Sequence, residues 1–230
     1  MIELQRITKA YYYKGNPKYI ARDVSAVFPT GSRVGLLGRN GTGKSTLLSI
    51  IAGSLNPDSG RVRVTGSMSW PICLQGCIHP DLTGAQNVKF IARVYGVDTE
   101  ELLDFVSDFA ELGQNFNQPV RHYSSGRRGR LNFGMSMGIR FDTYLIDEVS
   151  AVGDAGFKKK SKMLFDDRMS KAGVIMVTHS QGMMRAMCTT GAVMEAGQLT
   201  MFDNVEDALD QHSRNTLGED YKREKEFMEE

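Results

Sequence analysis

Residues 38–45 read GRNGTGKS, which places two glycines, a lysine and a serine at the spacing G-x-x-x-x-G-K-[ST]. That spacing suits a phosphate. Gly41 and Gly43 permit backbone angles that a Cβ disfavours, so N–H groups along Gly38, Arg39, Asn40, Gly41, Thr42 and Gly43 can converge on phosphate oxygens. The helix expected to follow, starting through Lys44, Ser45 and Thr46, presents its positive end to the same anion. Lys44 would reach the β- and γ-phosphates of a nucleoside triphosphate, and Ser45 would give its hydroxyl to Mg²⁺. A loop of this kind binds a nucleotide without cleaving it. Cleavage needs a metal carboxylate and a group that activates water, and TYLIDE at 143–148 offers both at the end of an apolar run. Asp147 fits the metal carboxylate and Glu148 the general base. His179, after the apolar VIMVT, is placed to contact a γ-phosphate or the attacking water.

A third stretch, YSSGRRGR at 123–130, reads either as a grip on nucleic acid or as a grip on another phosphate. The whole chain discriminates between them. Its 230 residues carry 28 Lys+Arg against 27 Asp+Glu, so no global positive field draws a polyanion, and aromatic residues are not interleaved with these arginines. Nucleic acid is therefore not an expected partner.

The elements that must hold these residues follow an α/β pattern. RVGLLG at 33–38 is a short buried strand, and KSTLLSIIAG has the apolar spacing of a helix stopping at Gly53. YLID and VIMVTH are apolar enough for buried strands of a mainly parallel sheet, and RVRV at 61–64 alternates like a strand at a sheet edge. Between Thr83 and about Ile139 the pattern turns helical, an insertion into the sheet domain. The last twelve residues hold nine charges and little to bury. With three cysteines and no run near the ~20 apolar residues of a membrane span, neither a disulfide framework nor a crossing helix is expected. Cys73, Cys77 and His79 lie within seven residues without a fourth ligand at matching spacing, which favours free thiols over zinc.

The order of phosphate loop, helical block, Ser/Gly signature, Asp-Glu strand end and later histidine resembles the ATP-binding subunits of ABC transporters, over about residues 1–212. The resemblance implies a P-loop NTPase fold: a RecA-like core sheet, an N-terminal antiparallel β subdomain and an inserted helical subdomain. It implies one nucleotide-binding domain over 1–230, with core at 1–82 and 140–212, helical subdomain at 83–139 and a charged tail at 213–230. ATP and Mg²⁺ are the implied cofactors. Ser124 matches the family's signature serine, Ser125 replaces its first glycine, Gly126 matches the second and Arg127 stands for glutamine; these would act on ATP held by a second copy. Tyr11 aligns with the aromatic residue that stacks on adenine, with Tyr12 and Tyr13 leaving the register open, and Asp154 matches an acid contacting the opposite subunit. The family's metal-touching glutamine has two candidates, Gln75 and His79.

Within that family SW at 69–70, LTGAQNVKFIARVYG, YSSGRRGRLNFGMSM and YLIDEVSAVGDAGFKKK look like the ATPase of capsular polysaccharide exporters, and HPDLTG is similar to the O-antigen and teichoic-acid exporters. Many O-antigen ATPases append a carbohydrate-binding domain, and this chain has no room for one, which favours the capsule type. The implied protein is a homodimer bound to a separate transmembrane permease at the cytoplasmic face of the bacterial inner membrane, driving export of capsular polysaccharide. Rival readings are a small-molecule P-loop kinase, which has no need of YSSGR, a DNA-associated ABC ATPase, which normally carries a long coiled coil, and a soluble non-transport ABC ATPase.

Overall fold

A computed structural model describes residues 1–72, 78–148 and 154–218. The chain forms two compact units. The first takes Met1–Pro71, Asp142–Glu148 and the chain from Gly173 onward, and the second takes Ile72–Phe141 and Val149–Ala172.

The first unit holds two sheets. Strands β1 (Ile2–Tyr13), β2 (Asn16–Phe28) and β4 (Ser59–Val64) form an antiparallel sheet in the order β2-β1-β4. Strands β3 (Arg33–Leu37), β5 (Thr143–Asp147), β6 (Gly173–Val177), β7 (Thr190–Glu195) and β8 (Gln198–Phe202) form the other, in the order β5-β6-β3-β7-β8. All neighbours there run parallel except β8, which returns antiparallel to β7. Val34, Gly35, Leu36 and Leu37 of β3 are buried, as is every residue of β6, which is what a parallel strand covered on both faces requires. Helix α1 (Lys44–Ile51) buries Leu47, Leu48, Ile50 and Ile51 in the core that joins Ile2, Leu4 and Ile7 of β1 to Leu36, Leu145 and Ile175. Helices α6 (Gln181–Met187) and α7 (Val205–Leu217) complete the unit. α7 carries regular structure into the expected tail as far as Leu217; residues 219–230 lie outside the described residues.

The second unit is helical. It contains α2 (Gly84–Tyr95), α3 (Thr99–Ala110), α4 (Ser125–Gly138) and α5 (Ala155–Lys171), with 3₁₀ turns at Gly113–Asn117 and Val120–His122. Thr83 starts α2 with a reciprocal capping box: its hydroxyl accepts from the Gln86 N–H while the Gln86 side chain accepts from the Thr83 N–H. α5, which the sequence pattern counts with the sheet, groups with these helices. Packing explains it: the Phe157 ring meets Phe109 of α3 edge-on with centroids 5.3 Å apart, and Phe109 stacks on Phe133 of α4.

Candidate nucleotide site

In the first unit the loop after β3 is shaped by positions that tolerate no side chain. Gly38 has φ 153°, and a Cβ there would lie 2.5 Å from the Met194 carbonyl oxygen and 2.8 Å from Thr42 Oγ1. Gly43 has φ 102°, and a Cβ would lie 2.1 Å from Ile20 Cγ2. The Thr42 hydroxyl donates to the Arg39 carbonyl at 2.8 Å, closing the turn between them. Gly43 is the N-cap of α1 and supplies no side-chain acceptor, so the first N–H groups of the helix have no cap from it. Lys44 folds back over the loop, its Nζ donating to the carbonyls of Gly38 at 2.7 Å and Arg39 at 3.2 Å. Partial burial lowers its pKa from the usual lysine value, while the charges of Glu148 and Asp147 act in the opposite sense. Arg39, Asn40, Gly41 and Ser45 are exposed at this rim, and Thr42 and Thr46 partly so.

The carboxylates come from the neighbouring strand ends. Asp147 closes β5 opposite Val177 of β6, and the Glu148 N–H donates to the Val177 carbonyl at 3.0 Å. Glu148 sits at φ 52°, a left-handed conformation that costs a non-glycine residue ~1–2 kcal/mol and that the surrounding chain must hold. Its Oε1 lies 2.7 Å from His179 Nε2. Loop, Lys44, Asp147, Glu148 and His179 therefore meet at the carboxyl ends of β3, β5 and β6, where open α/β sheets hold ligands. Together they can bind a triphosphate and activate a water against it; hydroxyl and carboxylate oxygens at Ser45 and Asp147 are the hard donors Mg²⁺ takes.

One residue here escaped the motifs. His212 of α7 lines a cavity of about 70 Å³ together with Gly38, Lys44, Thr178, His179 and Gln181. The signal was its spacing, since it follows buried Val205, Ala208 and Leu209 on one helical stripe. Of the three adjacent tyrosines, Tyr11 pairs across the β1–β2 ladder with Lys18, whose Nζ lies 3.7 Å from where a Gly41 Cβ would be. Tyr12 and Tyr13 are the more exposed, at 73% each against 48% for Tyr11.

In the second unit Ser124 is the N-cap of α4, its hydroxyl accepting from the Arg127 N–H at 3.3 Å. Ser125 is exposed, and a Cβ added at Gly126 would meet nothing within 4 Å, so both positions face open space. Ser124, Gly126 and Arg127 line a groove with Glu111, Arg130 and Asp154. Arg130 is not a free surface cation: it pairs with Asp154 and with Glu111 at 3.3 Å, and its guanidinium lies 4.5 Å from the Phe157 ring centroid. Asp154 also caps α5, accepting from the Phe157 N–H at 3.0 Å, and that bond first and then Arg130 hold its carboxyl below the usual range.

Of the two glutamine-position candidates, Gln75 lies outside the described residues, as do Cys73 and Cys77. His79 is described. Its N–H donates to Asn87 Oδ1 at 2.8 Å, its carbonyl accepts from Asn87 Nδ2 at 3.1 Å, and its Nδ1 accepts from the Asp81 N–H at 3.2 Å, so it is built into the turn before α2. Among the described residues no group of three His, Cys, Asp or Glu could hold a metal, and no helix is long and apolar enough to cross a membrane.

The model of the ABC transporter family matches residues 21–151, more than half of the chain and including both the phosphate loop and the carboxylate pair. The chain belongs to the ABC transporter family. This ABC protein is 43% identical over 218 residues to a polysialic acid transport ATP-binding protein of Escherichia coli, covering 94% of the chain and 100% of the relative. It is 38% identical over 213 residues to a capsule polysaccharide export ATP-binding protein of Neisseria meningitidis serogroup B, covering 93% and 99%. A teichoic acids export ATP-binding protein of Staphylococcus haemolyticus is 34% identical, covering 87% of the chain and 77% of the relative. In fold, the ABC chain resembles a dimeric ATP-binding cassette solved in a post-hydrolysis state with ADP and phosphate, at TM-score 0.71 and 20% identity over 89% of the chain and 99% of that structure.

Proposed function

We propose that this ABC protein is the ATP-hydrolysing subunit of an exporter of capsular polysaccharide or a related cell-surface glycan. It works as a head-to-tail homodimer bound to a separate transmembrane permease, at the cytoplasmic face of a bacterial inner membrane. The observation that carries the reading is the Glu148–His179 pair beside the phosphate loop. It occurs in a chain that aligns with capsule-export relatives over nearly their full length.

On binding, Lys44 exchanges the Gly38 and Arg39 carbonyls for the β- and γ-phosphate oxygens, so the loop gives up two internal hydrogen bonds for charge-assisted ones. The uncapped N–H groups of α1 take the remaining phosphate charge. Tyr11, beside Lys18, stacks on adenine. Ser45 and Asp147 would hold Mg²⁺, Gln75 and His79 being the alternative candidates for a further contact, and the ion would supply positive charge against that building up on the phosphates. Glu148 accepts the proton of the attacking water, and His179 Nε2, 2.7 Å from Glu148 Oε1, turns to the γ-phosphate. Ser124, Ser125 and Gly126 of the other copy close over that phosphate, with Asp154 at the contact between copies. Closing and reopening of the dimer moves the helical unit and so the permease.

The test is purification of the Glu148→Gln variant from native membranes with ATP and Mg²⁺. The exporter reading predicts a polytopic membrane protein in stoichiometric amount, encoded beside glycan-synthesis enzymes. Recovery as a soluble dimer without one removes the transport claim and leaves a soluble ABC ATPase.

A further inference from the structure

Helix α7 places a side chain in the first unit's site that the phosphate loop and the strand-end carboxylates do not call for. Val205, Ala208 and Leu209 are buried, and His212 continues their stripe to the wall of the cavity that Gly38, Lys44 and His179 also line. An apolar residue would extend the stripe at lower desolvation cost. The imidazole Nδ1 is fully covered, and no group among the described residues hydrogen-bonds it. The charged and titratable groups that act on it are Lys44 of α1, Glu195 at the end of β7 and His179 ahead of α6. Asp210 and Arg214 flank it on its own helix. The Glu195 carboxylate accepts from the Asn215 amide, whose oxygen accepts from Gln211 at 2.7 Å, so the acid that acts on His212 is already engaged. Burial first, then the Lys44 charge, lower the pKa of His212, with Glu195 opposing them.

We propose that His212 is a positioning residue for the phosphate-binding lysine. Neutral beside Lys44 before nucleotide binds, it takes up a proton from solvent when a triphosphate brings negative charge into the cavity and draws Lys44 off the loop carbonyls. Nucleotide binding is then linked to proton uptake at this one residue, because the phosphates reverse the local field that disfavours its charged form. The inference rests on the ATP-binding reading above.

The experiment measures binding of the β,γ-imido analogue of ATP with Mg²⁺ to the full chain by calorimetry across neutral pH, for wild type, His212→Gln and His212→Leu. Ionisation of the nucleotide is common to all three, so it cancels in the ratio of wild-type to variant affinity, which reports on position 212. That ratio is expected to rise about three- to tenfold between about pH 8 and about pH 6. In parallel, the His212 imidazole resonance of the wild-type chain is titrated by NMR with and without the analogue, and its midpoint is expected to move up on binding. A flat ratio, or an unchanged midpoint, overturns the proposal; if a variant fails to fold, the wild-type titration decides alone. Failure of the wild type to bind the analogue at any pH overturns the ATP-binding reading and this inference with it.

Discussion

Two helices of this chain begin at Gly/Ser-rich turns whose sequences both suit a phosphate, and they begin in opposite ways. α1 starts at Gly43, in a left-handed conformation, with no side-chain cap and with Lys44 folded over the loop. α4 starts at Ser124, in an extended conformation, with its hydroxyl on the Arg127 N–H and Arg130 tied to Asp154 and Glu111. The first start leaves its N–H groups without a side-chain cap, and its lysine rests on two loop carbonyls that a ligand can replace. The second is already satisfied within its own unit. An uncapped start is suited to holding nucleotide, whereas a self-satisfied start can be presented, without rearrangement, to a nucleotide held elsewhere.

The contrast can be broken at several points. Glu148→Gln, at the first start's carboxylate pair, should lower steady-state ATPase by about 10²–10⁴-fold while ATP still binds. A near wild-type turnover would remove Glu148 from the role of base. The two glycines should then part company. Gly43→Ala drives a Cβ into Ile20 and keeps a left-handed φ, so thermal unfolding should register a loss of about 2 kcal/mol or more together with weaker nucleotide binding. Gly126→Ala meets open space inside a helix and should be neutral or stabilising by up to about 1 kcal/mol, yet still depress ATPase in the dimer. Equal destabilisation by the two would erase the distinction between the starts. Arg130→Met, which loses two ion pairs and a contact with the Phe157 ring at a side chain only 18% exposed, should destabilise the helical unit by about 1–2 kcal/mol in urea melts.

Acid should act on that same network. The Asp154 and Glu111 carboxyls are held below their ordinary values, by the Phe157 N–H and by Lys160 respectively. Their contribution is therefore intact at neutral pH and lost as pH falls through the depressed values, so the difference between wild type and Arg130→Met should narrow below about pH 4. The smallest effect concerns Cys188, whose buried thiol is pushed up to about 12 and should resist alkylation until the chain unfolds.

How much of this was legible depended on how local the determinants are. The phosphate loop and Glu148 directly follow buried strands, Asp147 ends one and His179 comes just after Thr178 beyond another, so these positions could be read from apolar runs, and β3, β5 and β6 appear as expected. His212 was not seen because it is an isolated histidine on a helix whose stripe ends at a cavity built from four separate segments. The three arginines after Ser124 looked equivalent in sequence. Only the placement of Glu111 at the end of α3 and Asp154 before α5 makes Arg130 an internal clamp and leaves Arg127 and Arg128 outside. α5 joined the helical unit for a similar reason, since Phe157 declares its partner through Phe109, some fifty residues earlier.

The central claim is that the capped start at Ser124 serves ATP held by the uncapped start of a second copy. Sedimentation velocity of the Glu148→Gln chain with saturating ATP and Mg²⁺ tests it most directly, with Ser124→Tyr in the same background as control. The account predicts a dimer that forms only with ATP and is abolished by the Ser124 substitution while ATP remains bound. A chain that stays monomeric with ATP bound, or a dimer indifferent to Ser124, would contradict it.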